Sequence, residues 1–347
     1  MSISLDRDGV PDGTVMVTGA GGPAGVAVVR ALEARGRKVV GVDANPDSVG
    51  SHLAGASGTV PRAGEPGLVE SLCAIAASQG AVLLVPTVAE ELPDLHAGAA
   101  RLSDAGVLSW VPEPGAVELC EDKLLFAAAL EAAGIPTPPT ARAAPGGEQA
   151  APGEGPGGSR AQLGSARAAS IPVPGPWVVK PRRGRGSRDV YLVDDPAELA
   201  IFAHRVPDAL VQSRVEGREF TVDVLVGRDG VPAGTVNRWR TETKAGISTR
   251  GTTFADRELD DLVARLVQVL GITGPANVQG FSTCAGHVVL EVNPRFSGGL
   301  PLSLAAGADL VGEYLRGAAG LPLRPSRLTS KPGVTMIRYF AEVFTFT

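Results

Sequence analysis

The chain has 347 residues, of which 44% are hydrophobic and 20% charged, with a formal net charge of -5. That length allows two or three domains, and the acidic balance excludes a general nucleic-acid binder, which carries a basic face. Apolar runs fall short of the ~18 residues that span a bilayer. Cys73, Cys120 and Cys284 are too widely spaced for a zinc site or a disulfide framework, and the polar, acidic start is unlike a signal peptide. A cytoplasmic location, without membrane or nucleic-acid partners, is expected.

Residues 14–42 have the pattern of a strand ("TVMVTGAGG"), a glycine turn, a helix ("AGVAVVRALEARG") and a second strand ending in Asp43. Helix, strand, helix and strand follow at "EPGLVESLCAIAASQG", "AVLLVPT", "AEELPDLHAGAARLSDAG" and "VLSWVP". This alternation predicts a doubly wound parallel sheet in an α/β domain over residues 1–120. "PGAVELCEDKLLFAAALEAAG" is helical in pattern. Residues 141–176 are a Gly/Pro/Ala-rich tract, too poor in large apolar groups to offset its ordering entropy, and read as a disordered insertion. Strands then dominate from "WVVKP" to "VPAGTVNRW", followed by a helix at "DRELDDLVARLVQVLG" and strands at "ANVQGFST" and "HVVLEVNP". "LPLSLAAGADLVGEYLRGAAG" reads as helix and the final "GVTMIRYFAEVFTFT" as strand.

Four stretches carry chemistry. "TGAGGPAG", between strand and helix, suits either phosphate binding by a dinucleotide or a tight turn with no ligand; no Tyr is followed by Lys four residues on, as a dehydrogenase of that pattern requires. "WVVKPRRGRGSRDVYLV" ends a strand in Lys180 and opens a cationic glycine turn suited to polyphosphate, or a solvated basic hairpin. In "LVQSRVEGREFTVDVLV", Glu219 could accept from ribose hydroxyls and the backbone near Val215 could pair with a purine edge. In "NVQGFSTCAGHVVLEVNPRFSGG", Glu291, Asn293 and Arg295 alternate and so share one face of a strand. With Gln279 on the neighbouring strand, Glu291 and Asn293 form an oxygen donor set for Mg²⁺ or Mn²⁺, and Arg295 lies within reach of a phosphoryl group.

Together these residues resemble the ATP-grasp superfamily, in its carbamoyl-phosphate-synthetase-like branch. Lys123, Lys180 with its loop, Gln212 to Glu219, Gln279 and "EVNPR" occur in the family's order over residues 120–300. The resemblance implies a pre-ATP-grasp domain (1–120) followed by a two-lobed α+β ATP-grasp domain: a small lobe over 121–210, containing the 141–176 insertion, and a large lobe over 211–347. It implies that Lys123, Lys180, Gly184, Gly186 and Ser187 hold ATP phosphates, Gln212 and Val215 flank adenine, and Glu219 holds ribose. Gln279, Glu291 and Asn293 would surround the metal, and Arg295 would steady the acyl phosphate. Two positions depart from the pattern: Gln212 stands where Glu is common, and Asp189 where Gly is frequent. The first domain is then expected to meet the substrate rather than NAD(P).

The expected activity is ATP-dependent ligation of a carboxylate to an amine through an acyl phosphate. Carboxyphosphate or carbamoyl chemistry, a non-catalytic nucleotide-binding protein, and an NAD(P) oxidoreductase are the alternatives. Small-molecule acid and amine are the expected partners, and a homodimer is compatible with the sequence. Glu90 or Glu91, at a strand's carboxyl end, is a candidate for an ammonium group, or an ordinary first-turn helix acid. Arg240, Lys244 and Arg250 are candidates for the substrate carboxylate, with Gly246 and Ser248 between them. Ser297, Gly298 and Gly299 are candidate donors to acyl-phosphate oxygens.

Overall fold

The computed structural model describes residues 5–143, 173–184, 186, 188–244 and 246–344. Three sheets follow one another along the chain. The first is parallel and contains β1 (Thr14–Thr18), β2 (Val39–Asp43), β3 (Ala56–Thr59), β4 (Ala81–Val85) and β5 (Leu108–Ser109), in the order β3-β2-β1-β4-β5. Every residue of β1 is buried, as an apolar strand covered on both faces should be. The order reverses between β1 and β4, so their carboxyl ends open a crevice. The loops after these two strands, at Gly19 and Thr87, line the cavity described below.

The second sheet is antiparallel: β6 (Thr140–Arg142), β7 (Trp177–Pro181), β8 (Tyr191–Val193) and β9 (Ala209–Ser213), in the order β6-β9-β7-β8. Trp177, Val179, Val193 and Val211 bury one face of it with Leu199 of the helix Pro196–Arg205. The third sheet is also antiparallel. It holds β10 (Arg218–Val226), β11 (Pro232–Lys244), β12 (Ile247–Phe254), β13 (Gly274–Thr283), β14 (Gly286–Asn293) and β15 (Thr335–Ile337), in the order β14-β13-β10-β11-β12-β15. One face packs on the amphipathic helix Arg257–Leu270 through Leu259, Val263, Leu266 and Val267.

The α/β first domain and the two antiparallel sheets agree with the expected class. Several boundaries differ, each for a local reason. The helix Lys123–Ala132, expected with the small lobe, buries Phe126 and Leu130 against Phe220, Val222 and Val278 of the third sheet. The small sheet runs on to Ser213. The helical run before it is broken at Asp122, whose carboxylate caps the new helix by accepting from the amides of Leu124 and Leu125 at 3.1 Å each. Gly98 divides the run at 92–104, and a cap at Asp309 divides that at 300–318. Most of the Gly/Pro-rich tract, residues 144–172, lies outside the described residues. Its two ends are ordered: Ala141 and Arg142 belong to β6, and buried Val173 accepts a hydrogen bond at 2.9 Å from Trp177 Nε1. The C-terminal strand is confined to Thr335–Ile337. Beyond it Arg338 turns inward, its Nε donating to Ser248 O at 2.9 Å and its NH2 to Gly298 O.

The first domain is fixed to the third sheet through a continuous core that joins Val15, Val17 and Leu83 to Leu225, Val236 and Phe296. At its centre the Tyr314 hydroxyl donates to Trp110 O at 3.0 Å and lies 3.3 Å from Leu84 O. The Tyr314 ring stacks on Trp110, with centroids 5.8 Å apart.

Candidate active site

The unburied face of the third sheet is polar over four adjacent strands. On β10, Phe220, Val222 and Val224 enter the core while Glu219, Thr221 and Asp223 face the other way. Register sets Thr221 beside Gln279 and Asp223 beside Asn277 of β13, and these beside Glu291 and Asn293 of β14. On the other side Thr221 pairs with Arg238 of β11, and Arg240 lies two residues on. The acid–amide–base row of "EVNPR" is therefore one edge of a polar floor.

Hydrogen bonds tie the floor together. Arg240 NH1 donates to Gln279 Oε1 at 2.7 Å and to Glu219 Oε1. Gln279 Nε2 donates to Asn277 Oδ1 at 3.0 Å, and Asn277 Nδ2 to Asp223 Oδ1 at 2.9 Å. Asp223 also accepts from Arg238 NH2 at 2.7 Å and Ser303 Oγ at 2.6 Å. Asn293 lies between Glu291 and Arg295, with 3.3 Å contacts to each.

A cavity of about 920 Å³ covers this floor, bounded by the small sheet above and the first domain at one end. Lys123 and Lys180 enter from the small-sheet side. Lys123 Nζ donates to Gly184 O at 2.9 Å, and the basic turn is anchored by Arg182 Nε on Asp122 Oδ1 at 2.8 Å. Asp189, where the family pattern favours Gly, has φ of +55°, a conformation that Gly adopts without strain and Asp tolerates better than most residues. Lys180 Nζ donates to Gln212 Oε1 at 2.8 Å, and Gln212 Nε2 to Thr140 Oγ1 at 2.7 Å. Val215 lines the cavity just past the Arg214 amide, which donates to Pro176 O at 2.8 Å.

Most of the residues singled out from the sequence converge on this cavity: Lys123, Lys180, Gly184, Gly186, Gln212, Val215, Glu219, Arg240, Gly246, Ser248, Gln279, Glu291, Asn293, Arg295, Ser297, Gly298 and Gly299. Ser187 lies outside the described residues. Glu90, Lys244 and Arg250 do not line the cavity, contrary to expectation. Lys244 is exposed at the tip of the β11–β12 hairpin, with Nζ 5.7 Å from the Phe340 ring centroid. Arg250 is exposed where β12 pairs with Ile337 of β15. Glu91 is buried and accepts from Thr18 Oγ1, so it braces the glycine turn. Asp43 likewise accepts from Gly21 N at 2.8 Å, an internal use for the acid that a dinucleotide reading would assign to ribose. Sequence reasoning missed Asp223, Arg238, Asn277, Asp122 and Arg338. For Asp223 a signal was present: a lone acid in the apolar strand "FTVDVLV", the same anomaly that marks Glu291.

Burial pushes the Lys180 ammonium down to about 8; Glu291 opposes that shift and Lys123 adds to it. Burial also lowers Lys123, against the pull of Glu291 and Asp122. The Glu219 carboxyl is raised by burial, against Arg240. The donor set of Gln279, Glu291 and Asn293 consists of oxygens with one formal negative charge, which fits a divalent ion held jointly with phosphates. The amide oxygens of Gln279 and Asn293 each accept from a guanidinium but keep a second lone pair.

Over part of its length the chain is similar to ATP-grasp proteins. Residues 205–340 match a family model described as "ATP-grasp in the biosynthetic pathway with Ter operon". The chain is 28% identical over 262 residues to the carbamoyl phosphate synthase large chain of Beutenbergia cavernae, a match covering 65% of this chain and 22% of that one. It spans less than half the length of curated relatives that it matches, 46% in one case and 22% in the other. The biotin carboxylase of Campylobacter jejuni has a similar structure, with a TM-score of 0.68 at 16% identity over 91% of this chain and 73% of that one. The L-amino acid ligase of Bacillus licheniformis gives 0.65 at 16% identity, covering 96% and 78%. Among the described residues no helix is long and apolar enough to cross a membrane.

Proposed function

We propose that the protein is an ATP-dependent ligase that activates a carboxylate as an acyl phosphate and joins it to an amine, releasing ADP and phosphate. The observation that carries this reading is the convergence of Lys123, Lys180 and Arg295 on the Gln279–Glu291–Asn293 corner of one cavity. Three cations beside an oxygen donor set suit a transferring phosphoryl group and its metal. Lys123 and Lys180 hold the phosphates, and the Gly184–Gly186 turn closes over them. Gln212, Val215 and Glu219 take the nucleoside. Gln279, Glu291 and Asn293 hold Mg²⁺ or Mn²⁺, which neutralises phosphate charge when bound. Arg295 steadies the oxygens of the phosphoryl group while a substrate carboxylate oxygen attacks the γ-phosphorus in line and ADP leaves with the electron pair of the broken P–O bond. The neutral amine then attacks the acyl carbon, phosphate leaves with the bonding electron pair, and the surplus proton on nitrogen passes to the departing phosphate or to water. The protein positions and polarises; no protein nucleophile takes part. The two structural relatives named above support the reading, one being a biotin carboxylase and the other an amino acid ligase.

The test is ADP release with Mg·ATP, screened over pairs of carboxylic acids and amines, amino acids first. Release that requires one acid and one amine, with the ligated product found by mass spectrometry, is expected. Absence of nucleotide binding by calorimetry overturns the reading.

A further inference from the structure

At the first-domain end of the cavity, three features meet away from the lysines. The helix Pro23–Glu33 starts there with Gly22 at its N-cap, in extended backbone and without a capping side chain. The amides of Ala24 and Gly25 find no carbonyl partner among the described residues, as in any uncapped first turn. Gly298 packs on Pro23, and Gly299 lies so close to Arg238 that a Cβ there would overlap NH1.

Arg238 supplies the independent observation. It is 2% exposed and lines the cavity. Its NH2 donates to Asp223 and, at 3.0 Å, to Ser297 Oγ. Its Nε and NH1 have no hydrogen-bond partner among the described residues, and Nε is wholly buried. Nε lies out of reach of a ligand, whereas NH1, against Gly299, is the unpartnered donor whose cost an anion in the cavity relieves. Asp223 does not serve these atoms, since its oxygens are engaged by Arg238 NH2, Asn277 and Ser303. A second guanidinium, Arg338, holds Gly298 O. The carboxylates among the described lining residues are Glu216, Glu219 and Glu291. The first lies in the inter-lobe connection, the second follows it on β10, and the third acts electrostatically on Lys123 and Lys180.

We propose that this corner is an oxyanion subsite, built from the N-terminus of the Pro23 helix, the Gly298 amide and Arg238, and that it takes a carboxylate or phosphate group of the ligated substrate; the Gly299 amide is already given to Ser297 Oγ at 3.1 Å. The inference rests on the ligase reading and narrows it. The substrate facing the nucleotide is an anion held by backbone amides and a buried guanidinium, not by the exposed Lys244 and Arg250.

The test uses the full chain with Mg²⁺ and a non-hydrolysable ATP analogue bound, so that the lysines are occupied and nucleotide binding is verified separately. Sodium acetate and inorganic phosphate are titrated against a chloride control of equal ionic strength, following the Ala24 and Gly25 amides and Arg238 Nε by NMR. Saturable shifts with either probe are expected; acetate alone marks a carboxylate and phosphate alone a phosphate ester. Gly22→Asp places a carboxylate at a position whose φ of -77° suits a capping Asp. It is expected to keep the melting temperature and the nucleotide affinity while weakening probe binding at least tenfold. Arg238→Lys retains the charge beside Asp223 and is expected to weaken the probe as well. If nucleotide binds but the amides do not shift, or shift equally in Gly22→Asp, the subsite is refuted while the ligase reading stands. If nucleotide does not bind, the ligase reading itself fails.

Discussion

The two ends of the cavity are made of different materials. The nucleotide end consists of charged side chains projecting from strands and one helix: Lys123, Lys180, Glu219, Gln279, Glu291 and Arg295. The first-domain end consists largely of backbone and small residues, Gly19, Gly22, Ala24, Thr87, Ser297 and Gly298, with Arg238 beneath. On the proposed reading the first kind suits a polyphosphate, whose fixed charge must be matched. The second leaves a space whose shape is set by where chains approach, and glycine permits that approach.

The sharpest break in the comparison is Glu291→Ala. It removes the carboxylate of the metal corner and is expected to lower Mg·ATP turnover by about 10³-fold or more, the scale of losing a charged group at a phosphoryl site. Folding is expected to persist, as judged by circular dichroism and melting temperature, because Glu291 is only half-buried. Turnover within tenfold of wild type would remove it from the metal set.

The next effect is on pH. Lys180 is lowered by burial to about 8, and phosphates favour its charged form. Free protein loses this proton as pH rises through 8, so ATP binding above that pH must take a proton up. Affinity measured by calorimetry is expected to fall roughly tenfold per pH unit above 8. The effect on folding runs the other way: the depressed value disfavours the folded state below 8, and that cost is relieved as pH climbs toward the unfolded value of 10.5. Gln212→Glu sets an anion beside Lys180 and is expected to move the fall in ATP affinity to higher pH. An unchanged profile would mean that Lys180 does not govern it.

A smaller effect is expected at the joint between the ends. Tyr314→Phe leaves Leu84 O and Trp110 O without the hydroxyl and should cost about 1–2 kcal/mol in denaturant unfolding. Smallest of all, Lys244→Ala is expected to change the substrate KM less than about twofold, as a solvent-facing charge is worth little. A larger rise would bring the hairpin tip into the substrate end and blur the contrast.

The contrast also explains what was legible in the sequence. Glu291, Asn293 and Arg295 stood out because polar residues alternating inside an apolar strand need a reason. Lys180 stood out because a charge ended a buried strand. Both signals are local. Arg238 sits in "VNRWR" with nothing nearby to distinguish it; its partners Asp223 and Ser297 are 15 and 59 residues away, and only sheet register unites them. Charge, and the likeness of their segment to the family's segment near the reacting carboxylate, point Lys244 and Arg250 into the site, but a hairpin sends such side chains to solvent. The parallel sheet was readable from its alternation, whereas the breaks at Gly98, Asp122 and Asp309 depended on caps inside apparently continuous helices.

The shared core that joins the first domain to the third sheet bears on the order of events in turnover. The small sheet has its own core, from Val173 to Val211, sharing no residue with the other buried clusters. The connection from β9 to β10, Arg214 to Gly217, has no regular structure. One wall of the cleft is therefore a single packed body, and the other joins it through an irregular connection. The proposed anion compartment lies on the packed wall, so on that reading its ligand has no need to wait for ATP. On the proposed ligase reading, nucleotide capture and ADP escape fall to the small-sheet wall, which places the clock of the cycle in the small lobe rather than at the reacting carbon.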